Sequence, residues 1–219
     1  VVDSGNTDGT NAIAKKYKAK IISASPGSGY ANFRNVGLKA AKGDWVFYLD
    51  ADERATPELV SEIPTLAPGV YQIPRKNIYL GRQMHYGGWG GDHVIRLFYK
   101  DYFQGYKGDL HEQPIFNSPL LTTHNALTHY SHRDLKSMLE KTIVFTDYEA
   151  RLRLKANHPP IVWWRLIRVM FSEFWLRFVR LSAGRDGTPG VIDGLFQVFN
   201  MFIIYARLWE LQNEAGTNT

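Results

Sequence analysis

Four consecutive residues, Asp50-Ala51-Asp52-Glu53, follow directly on the apolar run Trp45-Val46-Phe47-Tyr48-Leu49. On an extended backbone, carboxylates at i and i+2 project from the same side of a sheet. At the C-terminal end of a strand, such a pair can hold a hard divalent cation against phosphate oxygens. The same acids also suit an acidic turn or a helix start, because Thr56-Pro57-Glu58-Leu59 has the pattern of an N-cap followed by proline. A further acid, Asp3, ends the run Val1-Val2-Asp3 ahead of the polar turn Ser4-Gly5-Asn6-Thr7-Asp8-Gly9-Thr10. An Asp at such a strand end can accept hydrogen bonds from a nucleotide base or ribose, while Thr7 or Asp8 caps the helix that follows.

The elements that must position these acids alternate. Strands are expected at 1–3, 20–24 and 44–50, and helices at 8–17, 31–42 and 57–66. Such alternation implies an α/β fold, a Rossmann-like and mainly parallel sheet with helices on both faces, in which ligands bind beyond the carboxyl ends of the strands. Residues 69–130 are rich in aromatics and glycine, with strand-like runs at 70–74, 94–99 and 120–130 that complete the sheet and wall a cleft. The cluster Tyr86-Gly87-Gly88-Trp89-Gly90-Gly91-Asp92 reads as a loop, since several glycines disfavour either regular structure. From Asp134 onward the pattern is helical, over 134–156, 161–183 and 191–212, with His158-Pro159-Pro160 as a breaker. Domain boundaries are therefore expected at 1–133 and 134–219. A chain opening in mid-pattern on Val1-Val2-Asp3 is expected to lack a preceding strand and helix.

Composition narrows the class. At 219 residues, 44% hydrophobic and 21% charged, the chain has the make-up of an ordinary globular protein. With no cysteine, it has neither a disulfide framework nor a thiol nucleophile. The net charge of +5 is uneven, because residues 151–185 hold eight basic side chains and only Glu173 as an acid. A positive charge confined to one segment suits an anionic membrane surface and not a nucleic acid. The start lacks the charged and apolar regions of a secretory signal. No run of about 18 uncharged apolar residues occurs, so no transmembrane helix is expected.

The ordered pair VVDSGNTDGT and NFRNVGLKAAKGDWVFYLDADE resembles the family 2 glycosyltransferases of GT-A fold, in particular bacterial enzymes that add sugars to the lipopolysaccharide core. The likeness is closest over residues 1–115. It implies that Asp3 contacts the nucleoside of a nucleotide-sugar donor, and that Asp50 and Asp52 hold the ribose and a divalent metal, Mn²⁺ or Mg²⁺, on the diphosphate. Arg34 matches a position near the nucleotide, or it is a helix-surface arginine. Arg96, in Val94-Ile95-Arg96-Leu97-Phe98, resembles a recurrent Arg-Leu-Phe element able to neutralise diphosphate, or it is structural. The segment Gly108-Asp109-Leu110-His111-Glu112-Gln113-Pro114 resembles the element that supplies the catalytic base, with Glu112 first and Asp109 second as candidates. His129 or His132 could complete a metal site, since imidazole suits Mn²⁺; each could equally serve a strand end or a helix cap.

In the segment 161–183, Arg165, Arg168, Arg177 and Arg180 fall on one half of a helical wheel. Trp163, Trp164, Ile167, Phe171, Phe174 and Trp175 fall on the other. That division marks a helix lying in a membrane interface, or one packed on the core. Together these features lead to the expectation of an inverting, metal-dependent hexosyltransferase. It would act from a nucleotide sugar, UDP-linked, onto a lipid-linked or lipopolysaccharide-core glycan, as a peripheral protein at the cytoplasmic face of a bacterial inner membrane. The rival expectation is a non-catalytic, membrane-associated glycan- or lipid-binding relic of the fold.

Overall fold

A computed structural model describes residues 1–25, 29–108 and 112–216. The chain forms two compact units, one of Val1–Arg75 and His93–Leu127, the other of Lys76–Asp92 and Thr128–Thr219.

The first unit opens with strand β1 (Val2–Asp3), helix α1 (Thr10–Lys16), strand β2 (Ile22–Ser23) and helix α2 (Tyr30–Ala40). β1 and β2 pair in parallel, Val2 opposite Ile22 and Asp3 opposite Ser23. Strands β3 (Trp45–Phe47) and β4 (Glu53–Ala55) follow, and then helix α3 (Pro57–Glu62). Thr56 caps α3 by accepting the Leu59 N–H, with Pro57 in the first turn, as the Thr-Pro-Glu pattern predicts.

Of the expected parallel pairing, β1 with β2 and β10 (Leu120–Thr122) with the start of β5 (Val70–Tyr79) are present. β7 (His93–Tyr99) runs antiparallel to both β3 and β5. Strands β8 (Phe103–Lys107) and β9 (Gln113–Phe116) form their own antiparallel pair. The α/β class stands, and its sheet is mixed. No helix intervenes between β5 and β7, and strands joined without a long crossover pair antiparallel.

β5 and β7 are buried on both faces because successive side chains alternate between two cores. Val70 and Phe98 join Ala31, Phe103 and Tyr106 on one face. Tyr71, Ile73 and Leu97 join Leu59 and Leu127 on the other. Asn35 of α2 pins β8 to this core: its Nδ2 donates to the Tyr106 carbonyl at 2.9 Å and its Oδ1 accepts the Tyr106 N–H at 2.8 Å. Gly105 makes that approach possible, with φ at +114° and only 2.6 Å between the place of a Cβ and Asn35 Oδ1.

In the second unit, β5 continues into β6 (Arg82–Gln83) through a tight antiparallel turn, and β11 (Leu127–His132) leads into helix α4 (Leu135–Lys155). Asp134 caps α4 by accepting the Ser137 N–H at 2.7 Å. Helix α5 (Trp163–Phe174) widens into a π-helical stretch at Trp175–Arg180, and a long helix α6 (Thr188–Gly216) closes the chain. The glycine cluster is a loop, as expected, and the turn before α6 docks it. Asp186 accepts the His85 and Tyr86 N–H groups at 2.9 and 2.7 Å, Arg177 donates to the Gly87 carbonyl at 2.7 Å, and Asp193 accepts from Trp89 Nε1 at 2.7 Å. Asp186 of that turn and Asp193 of α6 thus satisfy backbone and indole donors.

By length and composition alone, α6 is long and apolar enough over Thr188–Glu214 to cross a membrane, a helix that the sequence did not lead one to expect. Polar residues break the run in sequence, yet several of them are engaged within the unit: Asp193 by Trp89, Asn200 by Thr142 and Arg207 by Asp147.

Replacing Gly105 with alanine should lower the unfolding free energy by about 2–3 kcal/mol, through a strained positive φ and a displaced Asn35. Urea unfolding measures this, and a loss below about 0.5 kcal/mol, the range of neutral surface changes, would contradict the pinning role of Asn35.

Candidate functional site

The acidic tetrapeptide sits in a turn of the first unit and not on the extended strand expected for it. β3 stops at Phe47, and the Glu53 N–H donates to the Asp50 carbonyl at 3.0 Å, closing a four-residue turn. Glu53 is the reason. Its side chain is fully buried, and Oε2 reaches back to accept the Asp50 N–H at 3.0 Å. A buried carboxylate is tolerable only with cationic and hydrogen-bonding partners. Glu53 has Arg75 Nη1 at 3.5 Å from Oε1 and Arg96 Nε at 3.7 Å from Oε2.

That turn presents Asp50 to two guanidiniums. Arg96 Nη2 lies 2.5 Å from Asp50 Oδ2, and Arg34 Nη2 lies 3.1 and 3.2 Å from the two carboxylate oxygens. Arg34 Nε also donates to Glu112 Oε1 at 3.0 Å. One guanidinium thus joins the expected diphosphate-binding acid to the expected base. Both arginines are nearly covered, at 10% and 12% side-chain exposure, whereas Asp50 is open at 36%.

Aromatic rings hold Arg34 in this position. Its guanidinium lies 5.3 Å from the Tyr106 ring centre and 5.7 Å from that of Tyr48, and Tyr48 donates its hydroxyl to the Arg34 carbonyl at 3.1 Å. Burial opposes the charge on Arg34, but Asp50, Tyr106 and Glu112 draw its pKa above the ordinary value. Burial likewise pushes the Tyr48 hydroxyl up, so it stays a neutral donor.

The structure therefore brings together Arg34, Asp50, Arg96 and Glu112. Asp52 lies in the same turn, partly buried. Asp109 and His111 lie outside the described residues. Asp3 is 7% exposed and has its own network, accepting from Gly5 and Asn6 N–H at 3.1 and 2.9 Å and from Asn11 Nδ2 at 2.7 Å. These donors, Asn11 foremost, hold its carboxyl below the usual range. They account for the burial of Asp3 without a ligand.

His129 belongs to the second unit, where its Nδ1 is 2.7 Å from Asn77 Oδ1. Asn77 Oδ1 is an acceptor, so His129 Nδ1 is the donor in that contact. Asn77 is itself buried and donates to Asp92 Oδ2 at 2.9 Å. His132 packs edge-on against the Tyr79 ring. Among the described residues, no three His, Asp or Glu side chains gather as a ligand set. Asp50 and Asp52 are hard oxygen donors, chemically suited to Mn²⁺ or Mg²⁺. A cation held by these two would draw the rest of its shell from phosphate oxygens and water.

Glu53, Arg75, Tyr48, Tyr106 and Asn35 were not singled out from the sequence. Glu53 was legible as the third acid of the tetrapeptide, yet acids ahead of Thr-Pro read as helix-start residues. The tyrosines read as core aromatics, because nothing in the chain shows that positions 34, 48 and 106 converge. Replacing Glu53 with glutamine should cost about 2–3 kcal/mol of stability by leaving Arg75 and part of Arg96 without a buried counter-charge. Urea unfolding tests this, and a change under about 0.5 kcal/mol, typical of an exposed site, would contradict the anchoring of the turn.

The model for glycosyl transferase family 2 matches residues 1–135. An uncharacterized glycosyltransferase of Rickettsia bellii is 25% identical over 251 residues, covering 100% of this chain and 79% of the relative. One from Rickettsia typhi is 25% identical over 235 residues, covering 96% and 77%. The lipopolysaccharide core biosynthesis glycosyltransferase LpsC of Rhizobium meliloti is 36% identical over 74 residues, 30% of this chain and 26% of that protein. With more than half its length matched by the family model, and with an α/β first unit whose acidic turn carries the charged cluster, the chain belongs to glycosyl transferase family 2 and is a glycosyltransferase of GT-A fold.

Proposed function

We propose that this glycosyltransferase is metal-dependent and inverting, and that it moves a sugar from a UDP-linked donor to a lipid-borne glycan of the lipopolysaccharide-core type. The observation that carries the reading is the cluster at Asp50, where two covered guanidiniums meet an open carboxylate and one of them also holds Glu112. Guanidiniums fixed in this way match the oxygens of a diphosphate leaving group, whose charge grows as the glycosidic bond breaks.

In this mechanism Glu112 takes the proton from the acceptor hydroxyl. The acceptor oxygen bonds to the anomeric carbon on the face opposite the departing nucleotide, and the carbon–oxygen bond to the diphosphate breaks. Asp50 and Asp52 would hold the divalent cation, which when bound supplies positive charge to the diphosphate. Arg34 and Arg96 orient that diphosphate, and Asp3 lines the nucleoside end.

The lipid part of the reading rests on other observations. The similarity to LpsC covers a short stretch, and that protein's name places it in lipopolysaccharide core biosynthesis. Residues 134–219 are proposed as a membrane-associating extension at the cytoplasmic face of a bacterial inner membrane. In α5, the packed side is Val169 with Leu166 and Met170, and the aromatic side faces outward. Trp163 is 76% exposed, Ile167 61% and Phe171 66%. The guanidiniums of Arg165 and Arg168 lie over Trp164, so aromatic rings and positive charge share one surface. This combination fits an interface of anionic headgroups over acyl chains.

Replacing Asp52 with asparagine should reduce sugar transfer to a membrane-derived glycan acceptor by about 100-fold or more, with unchanged circular dichroism. Wild-type rates in the folded variant would refute its place at the diphosphate. Replacing Trp163 and Phe171 together with glutamate should reduce co-sedimentation with phosphatidylglycerol vesicles by about tenfold or more, given the apolar area each ring can bury. Unchanged co-sedimentation would remove α5 from the membrane contact.

A further inference from the structure

The charged side chains around Asp50 pair with one another. Arg34, Arg75 and Arg96 face Asp50, Glu53 and Glu112 in one connected set of ion pairs. Within it, Asp50 receives Arg96 on Oδ2 and Arg34 on both oxygens. A divalent cation approaching that carboxylate from solvent meets two guanidiniums in the positions it would need to take. Neither arginine can simply swing into water. Arg34 is held by the Tyr48 and Tyr106 rings and by Glu112, and Arg96 is nearly covered with its Nε directed at buried Glu53. A diphosphate changes the balance, because it brings at least two negative charges and bidentate acceptor geometry to the same guanidiniums.

We propose that Arg34 and Arg96 form an internal lock on Asp50 that stands in for the cation in the ligand-free protein, and that the donor diphosphate opens it by drawing both guanidiniums onto its own oxygens. The inference rests on the reading of Asp50 and Asp52 as cation-holding residues at the donor diphosphate. Its consequence is that cation and nucleotide bind cooperatively, each poorly alone. The factor by which UDP raises Mn²⁺ affinity must equal the factor by which Mn²⁺ raises UDP affinity. Because Arg34 also holds Glu112 Oε1, the same movement frees the base only when a donor is in place. A loaded site is then the one condition in which the carboxylate can take up an acceptor proton.

The test is Mn²⁺ binding by the purified full chain, read from the electron paramagnetic resonance signal of free Mn²⁺, with and without UDP. The wild type should bind Mn²⁺ at least about 30-fold more tightly with UDP present, within the usual range of coupling between sites. Arg96→Gln should tighten Mn²⁺ binding without UDP by about tenfold and shrink the enhancement by UDP correspondingly. Arg34→Gln should act in the same direction, and circular dichroism of both variants establishes which one retains the fold. Wild-type Mn²⁺ affinity that is independent of UDP, or a folded glutamine variant that binds Mn²⁺ no better than wild type without UDP, overturns the lock while the cation site survives. No Mn²⁺ binding by the wild type under either condition overturns the cation reading and the lock together.

Discussion

The placement of Glu53 inside the protein is the constraint on which the rest of the site depends. A carboxylate with no exposed surface must be matched by cations and N–H donors, and Glu53 recruits Arg75, Arg96 and the Asp50 backbone to do so. That requirement bends the chain after β3 into a turn and sets Arg96 beside Asp50. It also leaves Asp50 as the exposed end of a charge network whose other members are covered. Arg34 enters from α2 between two tyrosines and extends the network to Glu112. The packing that supports it is ordinary hydrophobic layering, in which β5 and β7 feed two cores by alternation. In the first unit the charged network thus adjoins strands β5 and β7, which are covered on both faces.

Much of this was legible in the sequence, and the limits of legibility have physical causes. Alternating strand and helix patterns over the first 66 residues mark the α/β class, and the Thr-Pro-Glu cap and the glycine loop appear where their chemistry requires. The acids Asp50 and Glu112 could be chosen from their motifs. Their connection through Arg34 could not, because a contact between residues 34 and 112 is a property of the folded layers. Extended geometry for Asp50 and Asp52 was a reasonable inference from the apolar run before them. It fails because Glu53 pulls the backbone back on itself, an effect of burial that local pattern does not encode. The antiparallel course of β7 was hidden for a similar reason, since aromatic-rich runs do not declare their direction.

The second unit shows the opposite balance between sequence and structure. Its helical pattern was plain, and the breaker at His158-Pro159-Pro160 lies between α4 and α5. The acids near the start of α6 carried no readable role. In the fold, Asp186 and Asp193 are buried and receive the N–H groups of the glycine loop and of Trp89. They explain how a loop of several glycines can be held without a hydrophobic side chain at each position. The helix wheel of α5 puts arginines and aromatics on opposite halves, whereas in the fold the Arg165 and Arg168 guanidiniums lie over Trp164. Only the structure shows that the small apolar stripe at Val169 is the packed one, so the large rings are left outside. An enzyme of family 2 with this surface has its charged cluster on one unit and its apolar face on another.

The most direct test of the central claim is a crystal structure of the chain with UDP and Mn²⁺. The account predicts diphosphate oxygens within hydrogen-bonding distance of the Arg34 and Arg96 guanidiniums, the cation on Asp50 and Asp52, and the Arg34–Asp50 contact broken. A nucleotide bound elsewhere, with Asp50 still clasped by both arginines, would contradict it.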